Sequence, residues 1–521
     1  MKLMQPQLTP EGELLVRNLD TAEAQALQPA GDKIHVSGVA GTLYFAYEQL
    51  RNIAEYTEQH LILRATIERF LKRHMQFNDH PRKLGFELIE ELTQERYLHN
   101  DTITQGTADR INAYLEYYIK LQLTLHNGIH KVAKEETVRW TIQAASVTVE
   151  QLLNPSPKTE VFINFAYTHC MKAIDRSDFG SATEEEFSIS VYCAAERALL
   201  KSDIATTRAH YINAHPTSSQ TIDEFIRVNR LIDKQFDAPL TTRLARLISR
   251  NGAPLRILLE AAVQTQGSAS LIQQPQKLAS YVSAVADEQY SKTHSRLVKS
   301  IIRTLIFVFI TKAAIGLLLE IPYDYWRHGM ILVLPLIINM VFPPLYMATA
   351  IWSVKKPDQA NTDAIRKQIE RILYASENEV SYRIPRRDIT AGLRLAFRLI
   401  YTLAYAASFG LAVWILLRLD FSWVHIGVFF LFFSAVSYFR FRLIQQSREL
   451  DINDRRESIF AIIASFFYTP FIKLGEWLSA RYSRVNVIAT ILDLLIEMPL
   501  KTTLRILQEW VRFMRDKREG F

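Results

Sequence analysis

Four polar residues stand inside apolar runs where a bilayer would surround them: Lys312, Glu320, Asn339 and His425. A charged group at mid-bilayer costs roughly 2.5–3.5 kcal/mol on insertion scales, so it faces protein or a water-filled cavity. The chemistry open to them is an ion or substrate path, with Lys312 also suited to a lipid phosphate. The plainer reading is a lysine that snorkels or pairs within the helix bundle, and a histidine shallow enough to meet interfacial water. Asp324 lies with Glu320 near the outer end of the first run. Pro335, Pro343 and Pro344 are expected to kink the second run, a feature that suits transporters and also occurs in simple anchors.

Elsewhere the chemistry-bearing residues read as structural. No phosphate-binding G-x-x-x-x-G-K-[ST], no H-E-x-x-H, no G-x-S-x-G and no C-x-x-C occurs. Gly38 and Gly41 form only a two-glycine fragment with no preceding strand, better read as a helix entry than as a phosphate cradle. His74 and His80 are badly spaced for ligands on one helix face and suit a surface turn. Glu184, Glu185 and Glu186 open a helix, where the positive end of its dipole favours them. His169 and Cys170 are adjacent, but a catalytic pair must meet in space; Cys170 and Cys193 both sit in apolar helical patterns and are expected in the core. Two cysteines also exclude a disulfide scaffold and a cysteine-rich metal site. No cofactor and no metal centre is expected.

The elements that must hold the polar residues are membrane helices. Residues 301–321 are apolar apart from Arg303, Lys312 and Glu320. Residues 329–354 carry no charge over 26 positions, 399–417 none over 19, and 421–439 none except His425. A hydrocarbon core of about 30 Å takes about 20 helical residues, so these runs read as four spans in two hairpins. The expected hairpins are 296–354 and 399–442, joined by a basic connection at 355–398. Residues 443–521 are expected to form interfacial amphipathic helices.

Residues 1–36 form a polar segment without an apolar run, so no cleavable signal peptide is expected. Residues 37–295 read as an all-α soluble domain, divisible into two near 154–158 around Pro155 and Pro157. Helical periodicity is expected at 41–74, 82–98, 107–126, 131–153, 184–200, 204–214, 222–235, 240–250 and 254–263, with 161–165 ambiguous between helix and strand. Neither polarity nor periodicity demands lipid, so residues 1–290 are expected to fold alone.

The charge is unevenly spread. Residues 1–295 carry −4 and residues 296–521 carry +11. A nucleic-acid binder should be basic in its soluble part, so no nucleic acid is expected. The basic excess beside the apolar runs points to anionic headgroups. Arg383, Arg386 and Arg387 of the connection are candidate interface residues. So are Arg505, Trp510, Arg512 and Arg515 of a terminal helix with apolar residues Leu504, Leu507, Val511 and Met514. A face packed against the soluble domain or a second subunit is the alternative for that helix. Residues 361–375 likewise place Ile365, Ile369, Ile372 and Leu373 on one face, expected at the bilayer surface. The short loops carry only Arg327 and Arg418, so both termini and the connection are expected to be cytoplasmic.

The resulting expectation is an integral, multi-pass, non-enzymatic scaffold or adaptor. Its helical domain would bind a protein partner, and its hairpins would anchor it and perturb the bilayer. The alternative is a transporter or channel using Lys312 and its polar companions; with four spans per chain it would need a homo-oligomer. A lipid-modifying enzyme lacks a His/Asp/Glu cluster at the cytoplasmic ends of the spans.

Overall fold

The computed structural model describes residues 7–25, 31–36, 61–76, 84–127, 132–180, 182–215, 221–374, 381–382, 391–452 and 459–484. Among them there is no strand, only two isolated antiparallel bridges, Leu8 with Tyr374 and Lys33 with Thr104. The fold is all-α, a large helical amino-terminal region followed by four helices long and apolar enough to cross a membrane.

The first elements are α1 (Pro10–Gln25), α2 (Ile62–Gln76), α3 (Leu84–Gln94), α4 (Gln105–Asn127) and α5 (Lys134–Leu153). Only the carboxy-terminal part of the helix expected at 41–74 falls within the described residues. After Asn154, Pro155 and Ser156 comes α6 (Pro157–Ala173), which begins on Pro157, where a missing N–H costs nothing. It absorbs 161–165, so the ambiguous stretch is helical. Then follow α7 (Glu184–Ala195), α8 (Ile204–Ala214), α9 (Ile222–Phe236), α10 (Pro239–Asn251), α11 (Ala253–Gln264) and the short α12 (Ser268–Ile272). Side-chain oxygens start several of these helices. Thr183 and Glu186 form a reciprocal capping box on α7, Asp203 caps α8 and Thr221 caps α9. The three glutamates at 184–186 thus sit in a capped first turn, and both cysteines are buried.

Among the described residues the buried apolar side chains of this region form several clusters, one of which crosses the break at 154–156 with Leu125 and Trp140 against Phe225 and Ile226. One core joins α2, α3, α4 and α5 through Ile67, Phe70, Leu88, Ile111, Ile142 and Val149. A second joins α1, α6, α7, α10 and α11 through Leu19, Phe162, Val191, Leu244 and Leu258.

A single helix leads out of the second core. α13 (Pro275–Ile315) buries Leu278, Val282 and Tyr290 in that core, then Leu297, Ile301 and Val308 among the membrane helices. It runs on through a π-helical turn (Gly316–Glu320) into α14 (Ile321–His328), which Gly329 ends at φ 68°. The composition change at 295/296 therefore falls inside a helix and marks no break. The short loop expected around Arg327 in the first hairpin is helical instead, within α14.

The chain returns along α15 (Val333–Ala348), with Pro343 and Pro344 inside it, and α16 (Ala350–Ser353). α17 (Gln359–Leu373) follows, capped by Asp358. The second hairpin is α18 (Ala391–Arg418) and α19 (Trp423–Ser447), and α20 (Ile459–Arg484) comes last. Phe307, Leu318 and Leu403 stand exposed on outer faces, an apolar surface suited to lipid.

Two expectations are corrected here. Ile365, Ile369, Ile372 and Leu373 of α17 do not lie on a bilayer; they are buried in the second core of the helical region. Thr9 N donates to the Leu373 carbonyl at 2.8 Å, and Tyr382 N to the Ala173 carbonyl at 2.7 Å. α20 is not a free interfacial helix either. It packs along α18 and α19, with Phe471 among Phe409, Phe430 and Phe433 at ring-centroid distances of 4.7–5.8 Å.

Candidate functional site

Lys312, Glu320, Asn339 and His425, drawn from four separate helical segments, meet in one buried cluster. Lys312 is 1% exposed and the other three are fully buried. Lys312 Nζ lies 2.8 Å from Glu320 Oε1. In a regular helix, residues eight apart point about 80° away from each other. The π-helical turn at 316–320 takes up one extra residue, which brings them within about 20° on one face. Gly316 opens that turn, where a Cβ would stand 3.3 Å from Leu336 of α15 and 3.9 Å from Glu320 Oε2.

α15 contributes Asn339, whose amide donates to Glu320 Oε1 at 3.1 Å and to the His425 carbonyl at 3.2 Å. α19 contributes His425, held by its cap: Ser422 Oγ lies 2.8 Å from His425 Nδ1. The other ring nitrogen lies 3.4 Å from Asp324 Oδ2 of α14, an ion-pair distance. That same oxygen accepts from Leu332 N at 3.0 Å. The Phe432 ring of α19 closes the cluster, 4.8 Å from Lys312 Nζ, a cation–π contact in a dry setting.

With His425 protonated the site holds two ion pairs and no net charge. Glu320 Oε2, Asp324 Oδ1, Asn339 Oδ1 and His425 Nε2 have no hydrogen-bond partner in the structure. The arrangement can lock three spans in register, or it can hold and pass a proton. Among the described residues no three of His, Cys, Asp and Glu are grouped to hold a metal ion.

Sequence reasoning found Lys312, Glu320, Asn339 and His425 as separate polar intrusions. It did not find Ser422, although a serine three residues before His425 at a helix start is a cap signal. Phe432 and the π-helical turn left no such signal. Arg383, Arg386, Arg387, Arg505, Trp510, Arg512 and Arg515 lie outside the described residues.

A second polar network, announced by no motif, joins the two halves of the helical region. Arg64 of α2 pairs with Glu68 at 2.5 Å and with Asp203 at the start of α8. Arg208 of α8 pairs with Asp233 of α9, which also accepts from Trp140 Nε1 of α5 at 2.8 Å. His210 Nδ1 lies 2.7 Å from the buried Glu196. Burial pushes the Glu150 carboxyl up to about 7, helped by Asp203 and opposed by Arg64. Burial works against a charged His210, but the Glu196 carboxylate outweighs it and the imidazole pKa is raised.

Comparison of the chain with protein families, with curated proteins and with solved structures gives no match in any of the three.

Proposed function

We propose that this chain is a non-enzymatic, membrane-anchored scaffold or adaptor, whose helical amino-terminal region binds a protein partner and whose two hairpins fix that region against an anionic bilayer surface. The observation that carries the reading is the burial of Ile365, Ile369, Ile372 and Leu373, from the connection between the hairpins, inside the core of the helical region. The segment after the fourth span docks there too: Arg256 of α11 donates to the Glu449 carbonyl at 2.6 Å, and Ile452 N to Asn361 Oδ1 at 2.8 Å. Such joints suit a rigid platform more than a bundle that must rock to alternate access. The basic connection and the basic flanks support a cytoplasmic helical region with both termini on that side.

A second reading, an oligomeric transporter or channel, is favoured by the buried cluster of Lys312, Glu320, Asn339 and His425 with its unpartnered polar atoms. One experiment separates the two. The double variant Lys312→Met/Glu320→Gln removes the buried charges together while keeping an oxygen acceptor for Asn339. In a cell lacking the chain, the scaffold reading expects full complementation at matched abundance. Loss of function with normal abundance would replace the scaffold by a transport path through the cluster.

A further inference from the structure

The cluster of Lys312, Glu320, Asn339 and His425 is built differently at its two ends. Away from the hairpin tips it is sealed. One turn from Lys312 stands Val308 of α13, and one turn from Phe432 stands Val436 of α19. Both are buried with Met347, Ala350 and Leu443 in one apolar block, and Phe432 packs against it. Toward the tips the cluster is one hydroxyl from the surface. Ser422 is half-buried at the start of α19, with the exposed Trp423 beside it in the chain, and its Oγ lies 2.8 Å from His425 Nδ1. Asp324 Oδ2 meets the other ring nitrogen at 3.4 Å and accepts from Leu332 N in the first tip. The charged and titratable groups that act on the ring are Asp324 and His328 of α14, Glu320 of the π-helical turn and Lys312 of α13. α15 adds the uncharged Asn339, and residues 329–354 carry no charge.

This geometry gives an incoming proton one place to bind. In the neutral imidazole that donates to Asp324, the proton is on Nε2 and Nδ1 accepts from the Ser422 hydroxyl. A second proton goes to Nδ1. The Ser422 hydroxyl then turns to accept from it, using the lone pair that the His425 backbone N–H leaves free. One cation against two carboxylates becomes two against two. The contact between Nε2 and Asp324 becomes an ion pair, and charge-assisted bonds are shorter and roughly twice as strong as neutral ones. Protonation thereby tightens α19 on α14 at the tips.

We propose that His425 is a binding site for a single proton, which reaches it from the hairpin-tip side of the bilayer and goes no further. Ser422 is the entry, Asp324 receives the ion pair, and the apolar block at Val308 and Val436 is the stop. Such a site responds to the pH of one compartment and carries no proton across. The inference rests on the four helices crossing a bilayer. It depends neither on the scaffold role, whose complementation readout is separate, nor on which side is cytoplasmic.

The test uses the full chain in sealed liposomes. A new cysteine at Tyr325, 71% exposed and next to Asp324 on α14, takes a pH-insensitive, environment-sensitive thiol fluorophore. The reagent is membrane-impermeant and is added outside, so it marks only chains whose hairpin tips face outward. Cys170 and Cys193 are buried and do not compete. The pH on one side at a time is stepped from about 8 to about 5, the range in which a histidine titrates. Lowering the outside pH should change the fluorescence reversibly, and lowering the inside pH should not. His425→Gln, which keeps a donor for Asp324, should abolish the response; His425→Asn serves if that variant does not fold, and the parent chain alone decides the sidedness. His328→Gln, at an exposed histidine of α14, should leave the response intact. An equal response to inside pH would make the cluster a path across the bilayer. No response to either side would mean that the cluster exchanges no proton. A response that survives in His425→Gln, or is lost in His328→Gln, would place the titrating group elsewhere. Each of these outcomes overturns the proposal.

Discussion

Lys312 and Glu320 are a buried pair, and that decides how each can be replaced. Removing one partner strands the other charge in a dry site, which typically costs about 3–5 kcal/mol, whereas replacing both is often neutral or stabilising. Lys312→Met alone should therefore lower the thermal midpoint of the full chain in detergent, and Lys312→Met/Glu320→Gln should recover most of the loss. A single variant as stable as the parent would refute a stabilising Lys312–Glu320 ion pair. Glu150 gives a residue-scale prediction about pH. Its folded pKa, about 7, is raised above the ordinary 4.5, so the unfolded chain ionises first. Folding is penalised as pH rises from 4.5 to 7, by up to roughly 3 kcal/mol at 1.36 kcal/mol per unit, and no penalty exists below 4.5. Glu150→Gln should raise stability at pH 8 and leave it unchanged at pH 4. A gain that is the same at both pH values would count against this account.

At the scale of elements, α17 and α20 behave unlike free amphipathic helices. Ile369 is buried among the helices of the second core, so Ile369→Ala should cost about 2–5 kcal/mol in the helical region. An interfacial helix would lose far less, and hydrogen exchange in α6 and α11 should report which holds. α20 meets α19 at Gly475, where a Cβ would run into the Ser434 carbonyl and lie 2.7 Å from Tyr438 Cβ. Alanine is favoured over glycine in a helix by about 1 kcal/mol. Gly475→Ala should nonetheless destabilise the bundle, while Gly427→Ala, where nothing stands within 4 Å, should not. Equal thermal midpoints for the two variants would contradict the close packing of α19 on α20.

For the whole molecule, the helical region and the connection between the two hairpins share a core. Residues 1–290 alone would lose Ile365, Ile369, Ile372 and Leu373, each worth roughly 1.5–3 kcal/mol when buried. That sum approaches the whole stability of an ordinary domain, about 5–15 kcal/mol. The isolated region should therefore melt well below the full chain, and fusing residues 357–382 behind a flexible linker should restore it. Full stability of residues 1–290 by themselves would refute the shared core. The orientation proposed from the basic flanks has its own check. Single cysteines at Lys356 should be shielded from an impermeant outside reagent in intact cells, and one at the exposed Trp326 should react. The reverse pattern would invert the topology.

Much of this architecture was legible in the order of residues alone. Apolar runs of 19 and 26 residues mark helices long enough to cross a bilayer, because length and apolarity are properties of the run itself. Periodicity of 3.6 placed most soluble helices to within a few residues, since it records which side of a helix meets water. The four intramembrane polar residues could be named, because their cost in lipid is a property of each one. Their meeting could not. It depends on a π-helical turn that re-aims Glu320 and on contacts 86 residues apart between Asn339 and His425. The face of α17 was legible as apolar and basic-flanked, but a bilayer and a protein core offer the same dry surface to isoleucine. Only the tertiary structure decided between them, because the partner surface, built from α1, α11 and the start of α13, is assembled from segments distant in the sequence.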